Sequence, residues 1–394
     1  MNDRPMARVT RDERKEEEKG KFVLSRDRLA GFRLMRQSLL ERQPKQCLVR
    51  VVRDLCGLQA QFSSSPGLSL SARIKGISED DLDKALYRDR TLVKIWSVRG
   101  TLHLITSEDF HIYLGALGPA MTQGVNRWME REATGLSGEA RERVDALILS
   151  ALSEGPLTRK DLHRKVPQLA GLSSALWGAD VRSLASRGLI VHGQPVKGRV
   201  TFVRTDQWLP EKFRTPLPEE QARKLMLLRY LGTYGPATVQ DMAHWSGLRV
   251  GAVRSLLEGL TGAVTSVQVE GEEKEYAARG TDVSCLKTWE QERELPVRYL
   301  PCFDALLLAY RNKAGILSEE YRKKVFRPAA WVEPTLLVRG RVAGIWAGER
   351  RSGKLRITAS PFERLSKKDK EALREEAGNV ASYLNSSLEG LKLL

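Results

Sequence analysis

Gly155-Pro156-Leu157-Thr158-Arg159-Lys160-Asp161 is the first of two copies of the pattern G-P-x-T-x-x-D, and Gly235-Pro236-Ala237-Thr238-Val239-Gln240-Asp241 is the second. In each copy, a Gly-Pro turn is followed by a threonine, which is a favourable N-cap of a helix. An aspartate then falls in the first helical turn, where a negative charge is favourable. The repeat therefore predicts two helical units in which Thr158 and Thr238 occupy equivalent positions.

Both copies lie within the same order of predicted elements. An amphipathic stretch precedes each copy. Its apolar positions are Val144, Leu147, Ile148 and Ala151 before the first copy and Leu225, Leu228 and Leu231 before the second copy. The first copy is followed by a predicted helix over 174–187 and by strands over 189–192 and 199–204. The second is followed by a helix over 250–260 and by strands over 263–269 and 275–278. Three helices and a β-hairpin make a winged helix.

A third unit of this kind is predicted at the front of the chain. Helices are expected over 25–40, 45–56 and 80–87, and a hairpin over 91–97 and 101–105. Beyond residue 280 the pattern changes to strands over 336–339, 342–347 and 355–358, with a closing helix over 367–384. We predict a mainly α protein with β-hairpins, of the α+β class: three tandem winged-helix motifs and a small C-terminal β-rich domain. The predicted divisions are a disordered leader 1–24, units 25–135, 136–212 and 213–282, and a C-terminal domain 283–394.

Composition limits the functions that the chain can have. Its 394 residues are 41% hydrophobic, which is enough for sizeable cores, and no apolar run reaches the roughly 18 residues that a membrane span needs. The four cysteines form no CxxC pair and the histidines have no ligand spacing, so no metal and no cofactor is expected. The net charge of +16 favours a polyanionic partner such as nucleic acid.

Much of the positive charge falls in the C-terminal region. Residues 311–370 hold sixteen Lys and Arg against six Asp and Glu, and within them 345–358 predicts a hairpin with a cationic tip. Its candidate DNA contacts are Arg350, Arg351, Lys354 and Arg356, and the wing of the second unit adds Lys197 and Arg199. The alternative is a solvated hairpin without a ligand. The wing of the third unit has an acidic tip over 270–273, which should not touch phosphate.

The segment Leu58-Gln59-Ala60-Gln61-Phe62 lies between two predicted helices, the second capped by Ser65 and opened by Pro66. An extended segment would place Leu58, Ala60 and Phe62 inward and both glutamines on one exposed face. A helical one would turn the glutamines apart. Two coplanar amides can hold one water molecule, although neither amide is a true base. Taken alone, Q-x-Q is also compatible with two ordinary polar side chains.

Motifs along most of the chain carry a family resemblance. They are Gly57-Leu58-Gln59-Ala60-Gln61, Arg99-Gly100-Thr101-Leu102-His103-Leu104, Arg229-Tyr230-Leu231-Gly232-Thr233-Tyr234-Gly235-Pro236, His244-Trp245-Ser246-Gly247-Leu248 and Leu300-Pro301-Cys302-Phe303-Asp304. Over roughly 25–365 the chain resembles the winged-helix DNA glycosylase superfamily of AlkZ and YcaQ. Its QxQ form is similar to the AlkZ-like branch, whereas the YcaQ-like branch has Asp in place of Gln61.

The resemblance implies a monofunctional DNA glycosylase that hydrolyses the N-glycosidic bond of alkylated purines, with Gln59 and Gln61 as the catalytic residues. It also implies duplex DNA with alkylated or crosslinked purines as partner, in the cytoplasm and nucleoid of a bacterium. Arg99 and His103 are candidates for a supporting role beside the glutamines, with structural hydrogen bonding as the alternative. Asp304 is expected to anchor a contact between domains, with catalysis as the alternative. Tandem repeats in one chain make a monomer sufficient.

Two other classes of function remain open at this point. A non-catalytic winged-helix DNA-binding protein, regulatory or architectural, would explain the repeat and the charge but would leave the glutamine pair without a role. An interaction scaffold unrelated to DNA would have negligible affinity for duplex DNA at moderate salt. Release of free base from a damaged duplex separates the enzyme from both.

Overall fold

The computed structural model describes residues 23–131, 138–169, 179–289 and 295–394. The predicted leader up to residue 22 and the first part of the helix predicted over 174–187 lie outside these ranges. Within them the α-helices are α1 (Arg26–Arg36), α2 (Leu48–Asp54), α3 (Ser65–Ser71), α4 (Glu79–Asp83), α5 (Phe110–Arg131), α6 (Gly138–Ala151), α7 (Arg159–Lys165), α8 (Ala179–Ser186), α9 (Thr205–Trp208), α10 (Glu219–Tyr234), α11 (Val239–Ser246), α12 (Val250–Glu258), α13 (Val283–Thr288), α14 (Ala305–Leu308), α15 (Arg322–Val325) and α16 (Lys367–Tyr383).

The strands of the described ranges form sheets of six, five, three and two strands. Their orders are β2-β4-β3-β6-β7-β5, β10-β13-β14-β15-β16, β1-β8-β9 and β11-β12. The strand bounds are β1 (Val23–Leu24), β2 (Leu58–Gln59), β3 (Leu92–Trp96), β4 (Leu102–Thr106), β5 (Leu157–Thr158), β6 (Ile190–Val196), β7 (Arg199–Arg204), β8 (Val264–Val269), β9 (Tyr276–Arg279), β10 (Arg298–Leu300), β11 (Phe326–Arg327), β12 (Trp331–Val332), β13 (Thr335–Val338), β14 (Arg341–Arg351), β15 (Lys354–Pro361) and β16 (Ser387–Leu393).

The threonines of the two G-P-x-T copies occupy equivalent N-cap positions, as predicted. Thr158 is the N-cap of α7 and accepts a hydrogen bond from the backbone NH of Asp161 at 3.2 Å. Thr238 is the N-cap of α11 and accepts one from the backbone NH of Asp241 at 3.1 Å. Each cap satisfies a backbone donor that the first helical turn would otherwise leave without a partner.

One pairing pattern occurs at three places in the chain. A short segment that precedes a helix pairs antiparallel with the second strand of the following hairpin. The pairs are Leu58 with Leu104, Leu157 with Phe202, and Ala237 with Ala277. The glutamine motif therefore begins at the point in the first unit where the G-P-x-T turns lie in the other two.

The six-stranded sheet joins the hairpins of the first and second predicted units. Strand β3 pairs antiparallel with β6, with Lys94 opposite His192. Side chains alternate between the two faces of the sheet. Leu92 and Leu104 pack with α2–α4 on one face, whereas Ile95 and Val191 belong to the core that α5 and α10 share. No element is predicted for residues 110–131, although α5 packs against that second face.

The N-terminal segment packs against the third unit. The last two residues of the predicted leader form β1, which pairs parallel with β8. Arg26 at the start of α1 then donates hydrogen bonds to the carbonyl oxygens of Glu270 and Gly271, and forms an ion pair with Glu272 at 3.3 Å. One of the three carboxylates at this acidic tip, that of Glu272, therefore has a cationic partner within the chain itself.

The C-terminal region is a five-stranded sheet covered by α16. The closing helix runs over Lys367–Tyr383, one residue short of the prediction. A strand that is not predicted from the sequence follows this helix: β16 returns along β15 in parallel and forms the edge of the sheet. None of the helices in the described ranges is both long and apolar enough to cross a membrane.

His192 makes the stability of the fold sensitive to pH. Its side chain is buried between Trp96 and Phe202, and neither ring nitrogen has a hydrogen-bond partner among the described residues. Burial, with a smaller contribution from Lys94, lowers the pKa of His192 to about 3. A histidine in the unfolded chain has a pKa of about 6.5. Below that pH, the unfolded state therefore binds a proton at this residue, whereas the folded state does not.

We therefore expect the free energy of unfolding to fall as the pH is lowered from 7 to 4.5. Replacing the imidazole by a ring that does not titrate, as in His192→Phe, should reduce this dependence, since the phenyl ring can pack between the same two aromatic neighbours. Urea unfolding at several pH values measures the effect. If the free energy of unfolding changed equally with pH in the wild type and in His192→Phe, this expectation would be contradicted.

Candidate active site

The glutamine motif is extended rather than helical. Gln59 ends β2 opposite His103 of β4, and the backbone NH of Ala60 donates to the carbonyl oxygen of Leu102 at 2.7 Å. Leu58 and Ala60 are each only 1% exposed. Because side chains alternate along an extended chain, this inward pair directs both glutamine side chains away from the core of α2–α4. Of the two conformations that the sequence leaves open, the structure has the extended one.

The two glutamines differ in their access to solvent. Gln61 is exposed, whereas Gln59 is half-buried. The Oε1 atom of Gln59 is buried and accepts no hydrogen bond from any residue that the structure describes. An unsatisfied buried acceptor costs about 1–3 kcal/mol. The site thus keeps an acceptor of fixed position beside an exposed amide, which is an arrangement suited to orienting a small polar molecule.

The expectation that Phe62 points inward is wrong. Its side chain is 39% exposed, because the chain turns after Gln61 to begin α3 at Ser65 and the strand alternation ends there. The ring of Phe62 instead stacks on Phe303, with Trp331 edge-on to both. The helix start also differs by one position: Ser64 is the N-cap and makes no side-chain capping bond, while Ser65 is buried in the first turn.

His103 lies directly across from Gln59 and is 5% exposed. Its Nδ1 lies 3.0 Å from the carbonyl oxygen of Thr101, which fixes this nitrogen as the donor. Burial lowers the pKa of His103 to about 4; the bond to Thr101 opposes the shift, and the nearby Arg99 charge adds to it. The imidazole is therefore neutral at physiological pH, so it supplies packing and polarity to the Gln59 face rather than positive charge.

Arg99 connects the first hairpin to α11. It lies in the hairpin turn with a φ of 54°, and its Nη1 donates to the carbonyl oxygens of Trp245 at 3.1 Å and His244 at 3.5 Å. These carbonyls lie in the last turn of α11, where helices leave acceptors unsatisfied and favour positive charge. The contact holds the turn between β3 and β4 against the C-terminal end of α11.

Asp304 anchors a contact between distant parts of the chain, as expected. It forms a bidentate ion pair with Arg73, both bonds at 2.8 Å, and neither side chain is exposed. It also accepts hydrogen bonds from the Ser69 hydroxyl at 2.8 Å and from the backbone NH of Leu306 at 3.0 Å. Because Ser69 belongs to α3, this network fixes the loop that carries Phe303 against the helix that follows the glutamine motif.

The geometry can be compared with known proteins at this point. The family described as "DNA glycosylase AlkZ-like" matches residues 52–383. The chain belongs to this family. The sequence resemblance is thereby confirmed, and the AlkZ-like protein is a DNA glycosylase, an enzyme that hydrolyses N-glycosyl bonds and acts on DNA.

A curated sequence and a solved structure from Streptomyces sahachiroi are similar to this chain. The chain is 28% identical to an interstrand DNA cross-link repair glycosylase over 368 residues, which span 89% of this chain and 94% of that protein. It is also similar to the solved structure of the DNA glycosylase AlkZ, with a TM-score of 0.80 and 26% identity over 95% of this chain and 100% of that one. The mixed helix-and-strand fold of the AlkZ-like protein is therefore that of AlkZ.

The AlkZ-like chain has the basic C-terminal hairpin that its sequence predicts. Strands β14 and β15 are joined at Ser352 and Gly353, whose φ angles of 50° and 73° suit the twist of a tight two-residue turn. The four candidate cations fall into two pairs. Arg350 lies 3.6 Å from Glu79 and Arg356 lies 3.1 Å from Glu389, whereas Arg351 and Lys354 pair with each other across the hairpin tip and have no carboxylate partner in the described ranges.

The wing of the second unit provides another exposed cationic tip. Lys197 and Gly198 form its turn, with φ angles of 50° and 72°, and both Lys197 and Arg199 are exposed. Val196 and Val200 beside them are about half exposed, at 51% and 49%. Exposed cations beside exposed apolar side chains suit contact with the backbone and groove of DNA. Among the described residues, no group of three His, Cys, Asp or Glu side chains could hold a metal ion.

Proposed function

We propose that this AlkZ-like glycosylase removes purines that alkylation has made cationic, at N7 of guanine or N3 of adenine, and that Gln59 and Gln61 carry out the reaction. The observation that supports this most directly is the buried, unpartnered Oε1 of Gln59 beside the exposed amide of Gln61. The two amide groups follow each other on one extended segment, so one water molecule can contact both.

The chemistry requires little more than two positioned amides. A cationic base departs with the electron pair of the C1′–N bond and becomes neutral, so no general acid is needed. The sugar acquires oxocarbenium character, and amide carbonyl dipoles stabilise its positive charge. A water molecule oriented by the glutamines forms the new C1′–O bond and loses a proton to solvent. The neutral state of His103 fits this reaction, since an imidazolium would repel the developing charge.

We further propose that His103 and Arg99 act as supporting residues of this site. His103 is the cross-strand neighbour of Gln59, so its buried ring limits the orientations of the Gln59 amide. Arg99 holds the hairpin that carries His103 against α11. Asp304 supports the opposite side of the motif through α3.

Crosslinked purines are the second part of the proposed substrate range. The relative from S. sahachiroi is described as an interstrand DNA cross-link repair glycosylase. A crosslinked base cannot leave the duplex to enter an enclosed pocket. Gln61 is exposed and lies two residues beyond the edge strand β2, a position that would admit such a lesion without base flipping.

The proposed scaffold is three tandem winged helices, over 25–135, 136–212 and 213–282, followed by a β-rich domain over 283–394. The repeated pairing of a short segment with the second hairpin strand supports this division. One chain then carries every DNA-binding unit, so a monomer would suffice, and in a bacterial cell the enzyme would associate with the nucleoid.

Incubating the full chain with a duplex that contains N7-methylguanine tests the function directly. Free N7-methylguanine and alkali-labile sites are the expected products. A crosslinked duplex provides the second substrate, and its expected product is two separable strands. Binding of the methylated duplex without release of base would contradict the proposal and would favour the non-catalytic DNA-binding alternative.

The ion pairs of the basic hairpin predict that its four cations contribute unequally to DNA binding. Removing Arg351 and Lys354 together should reduce the slope of log K against log salt by about 0.9 per lost phosphate contact. Removing Arg350 and Arg356 should reduce it less, because Glu79 and Glu389 already neutralise them in part. Fluorescence anisotropy on undamaged duplex at several salt concentrations measures both. Equal slopes for both double variants and the wild type would indicate that the hairpin is a solvated surface without a ligand.

A further inference from the structure

Three aromatic rings meet directly beside the glutamine motif, and we call Phe62, Phe303 and Trp331 the aromatic platform. The rings of Phe62 and Phe303 are stacked, with centroids 5.4 Å apart and planes 8° from parallel. Trp331 lies edge-on to both, at 4.9 Å from Phe62 and 5.3 Å from Phe303. The sequence gives no local sign of this cluster, since its members come from three separate segments.

The platform keeps an open aromatic surface. Phe303 covers one face of the Phe62 ring and Trp331 lies against it edge-on, yet the residue remains 39% exposed. The exposed part of Phe62 leaves room for a further ring to pack against it. A flat ring that stacked there would continue the order Phe303–Phe62 by one layer, in the offset geometry that aromatic pairs prefer.

The platform is held in position before any ligand arrives. Phe303 immediately precedes Asp304, whose buried ion pair with Arg73 fixes the loop. Trp331 is held in β12, where it pairs with Arg327 of β11. Phe62 follows Gln61 directly. A preorganised surface of this kind loses little conformational entropy when it binds.

Exposed cations lie in the segment that leads to Trp331. Arg322, Lys323, Lys324 and Arg327 are all exposed and lie on α15 and β11, just before Trp331. Arg327 is the cross-strand neighbour of Trp331, and its ion pair with Glu333 at 3.6 Å leaves it 54% exposed. An aromatic face beside exposed cations is the combination that binds a nucleobase and the phosphates next to it. A neutral apolar partner would gain nothing from these cations.

We propose that the aromatic platform stacks on a nucleobase of the DNA substrate, namely a base beside the lesion that loses its stacking neighbour when the alkylated purine departs. This rests on the proposed function, because the excision step creates the unstacked base. The position of Phe62 next to Gln61 places the platform within one residue of the reacting group. Stacking on that base would hold the abasic product in position and keep open the space that the departed purine leaves in the duplex.

The test uses the full chain and a duplex with a tetrahydrofuran abasic analogue, flanked by 2-aminopurine, whose fluorescence reports its stacking. Wild-type protein should bind this duplex more tightly than an intact one and should change the fluorescence on binding. Phe62→Leu, which keeps an apolar side chain but removes the aromatic face, should lose the fluorescence change. It should also weaken binding to the abasic duplex by about 5- to 100-fold, the range expected for one base–aromatic stack.

Controls separate stacking from folding. Phe62→Trp should restore both the fluorescence change and the affinity, whereas Phe213→Leu, a matched loss of a half-buried ring elsewhere, should alter neither. Binding to the intact duplex and the thermal unfolding midpoint should stay within error in Phe62→Leu. Unchanged affinity and fluorescence in Phe62→Leu would overturn the proposal, as would the absence of any preference for abasic duplex in the wild type. The analogue cannot be cleaved, so failure of the proposed excision chemistry would be detected separately, in the N7-methylguanine assay.

Discussion

Gln61→Ala should slow the excision of N7-methylguanine by about 10- to 1000-fold, the range expected for losing one positioned dipole or water contact. The side chain is exposed and makes no contact with the core, so the fold and the affinity for DNA should be retained. Single-turnover excision measures the chemical step. Anisotropy on undamaged duplex and thermal unfolding provide the controls.

Gln59→Ala should have an effect of similar size, and it should also relieve the unsatisfied Oε1 atom, so that the variant is no less stable than the wild type. The double variant should lose less than the product of the two single effects, because both amides would orient the same water molecule. Gln61→Asp should retain activity, since a carboxylate accepts a hydrogen bond from water equally well. Wild-type rates in both single alanine variants would show that the site lies elsewhere.

Asp304→Ala should reduce the free energy of unfolding by about 3–5 kcal/mol, because it leaves the Arg73 guanidinium buried without its partner. Neither side chain of this pair is exposed, and the carboxylate also receives bonds from Ser69 and Leu306. Urea unfolding measures the loss. As a control, Glu220→Ala breaks a surface ion pair with Lys224 at 2.6 Å on the exposed face of α10, and it should cost far less because solvent already screens that pair.

A second control separates the ion pair from the space that it fills. Arg73→Met combined with Asp304→Leu removes both charges and should be more stable than Asp304→Ala alone. If Asp304 took part in the reaction instead, its alanine variant would lose activity at temperatures where it remains fully folded and would bind abasic duplex normally. That outcome would contradict the anchoring role.

Local chemistry explains which features were predictable from the sequence. Thr158 and Thr238 were recognised because an N-cap depends on residues within one helical turn. The basic hairpin was predictable because a short turn lies between two β-prone runs, whereas the conformation of the glutamine motif was left open between an extended and a helical form. In both predicted cases the deciding interaction joins residues that are close in the sequence.

The features that escaped prediction depend on contacts between distant segments. The ring of Phe62 is directed by Phe303 and Trp331, which no period in the sequence connects to it. The pairing of β3 with β6 depends on how two units meet, and the partner of Arg99 is a helix end in the third unit. The catalytic assignment itself came from family resemblance, because two glutamines two residues apart are too common to indicate an active site alone.

Strand β16 has a consequence for how the enzyme can be handled. It lies along the outer side of β15 and occupies backbone groups that would otherwise be free to pair with another chain. Without β16, the edge of the sheet would be β15, whose Leu355 and Ile357 side chains are buried. An uncovered edge strand of this kind is a template for aggregation. A deletion of only the last eight residues would therefore endanger solubility. Affinity tags and fusions are better attached at the N-terminus.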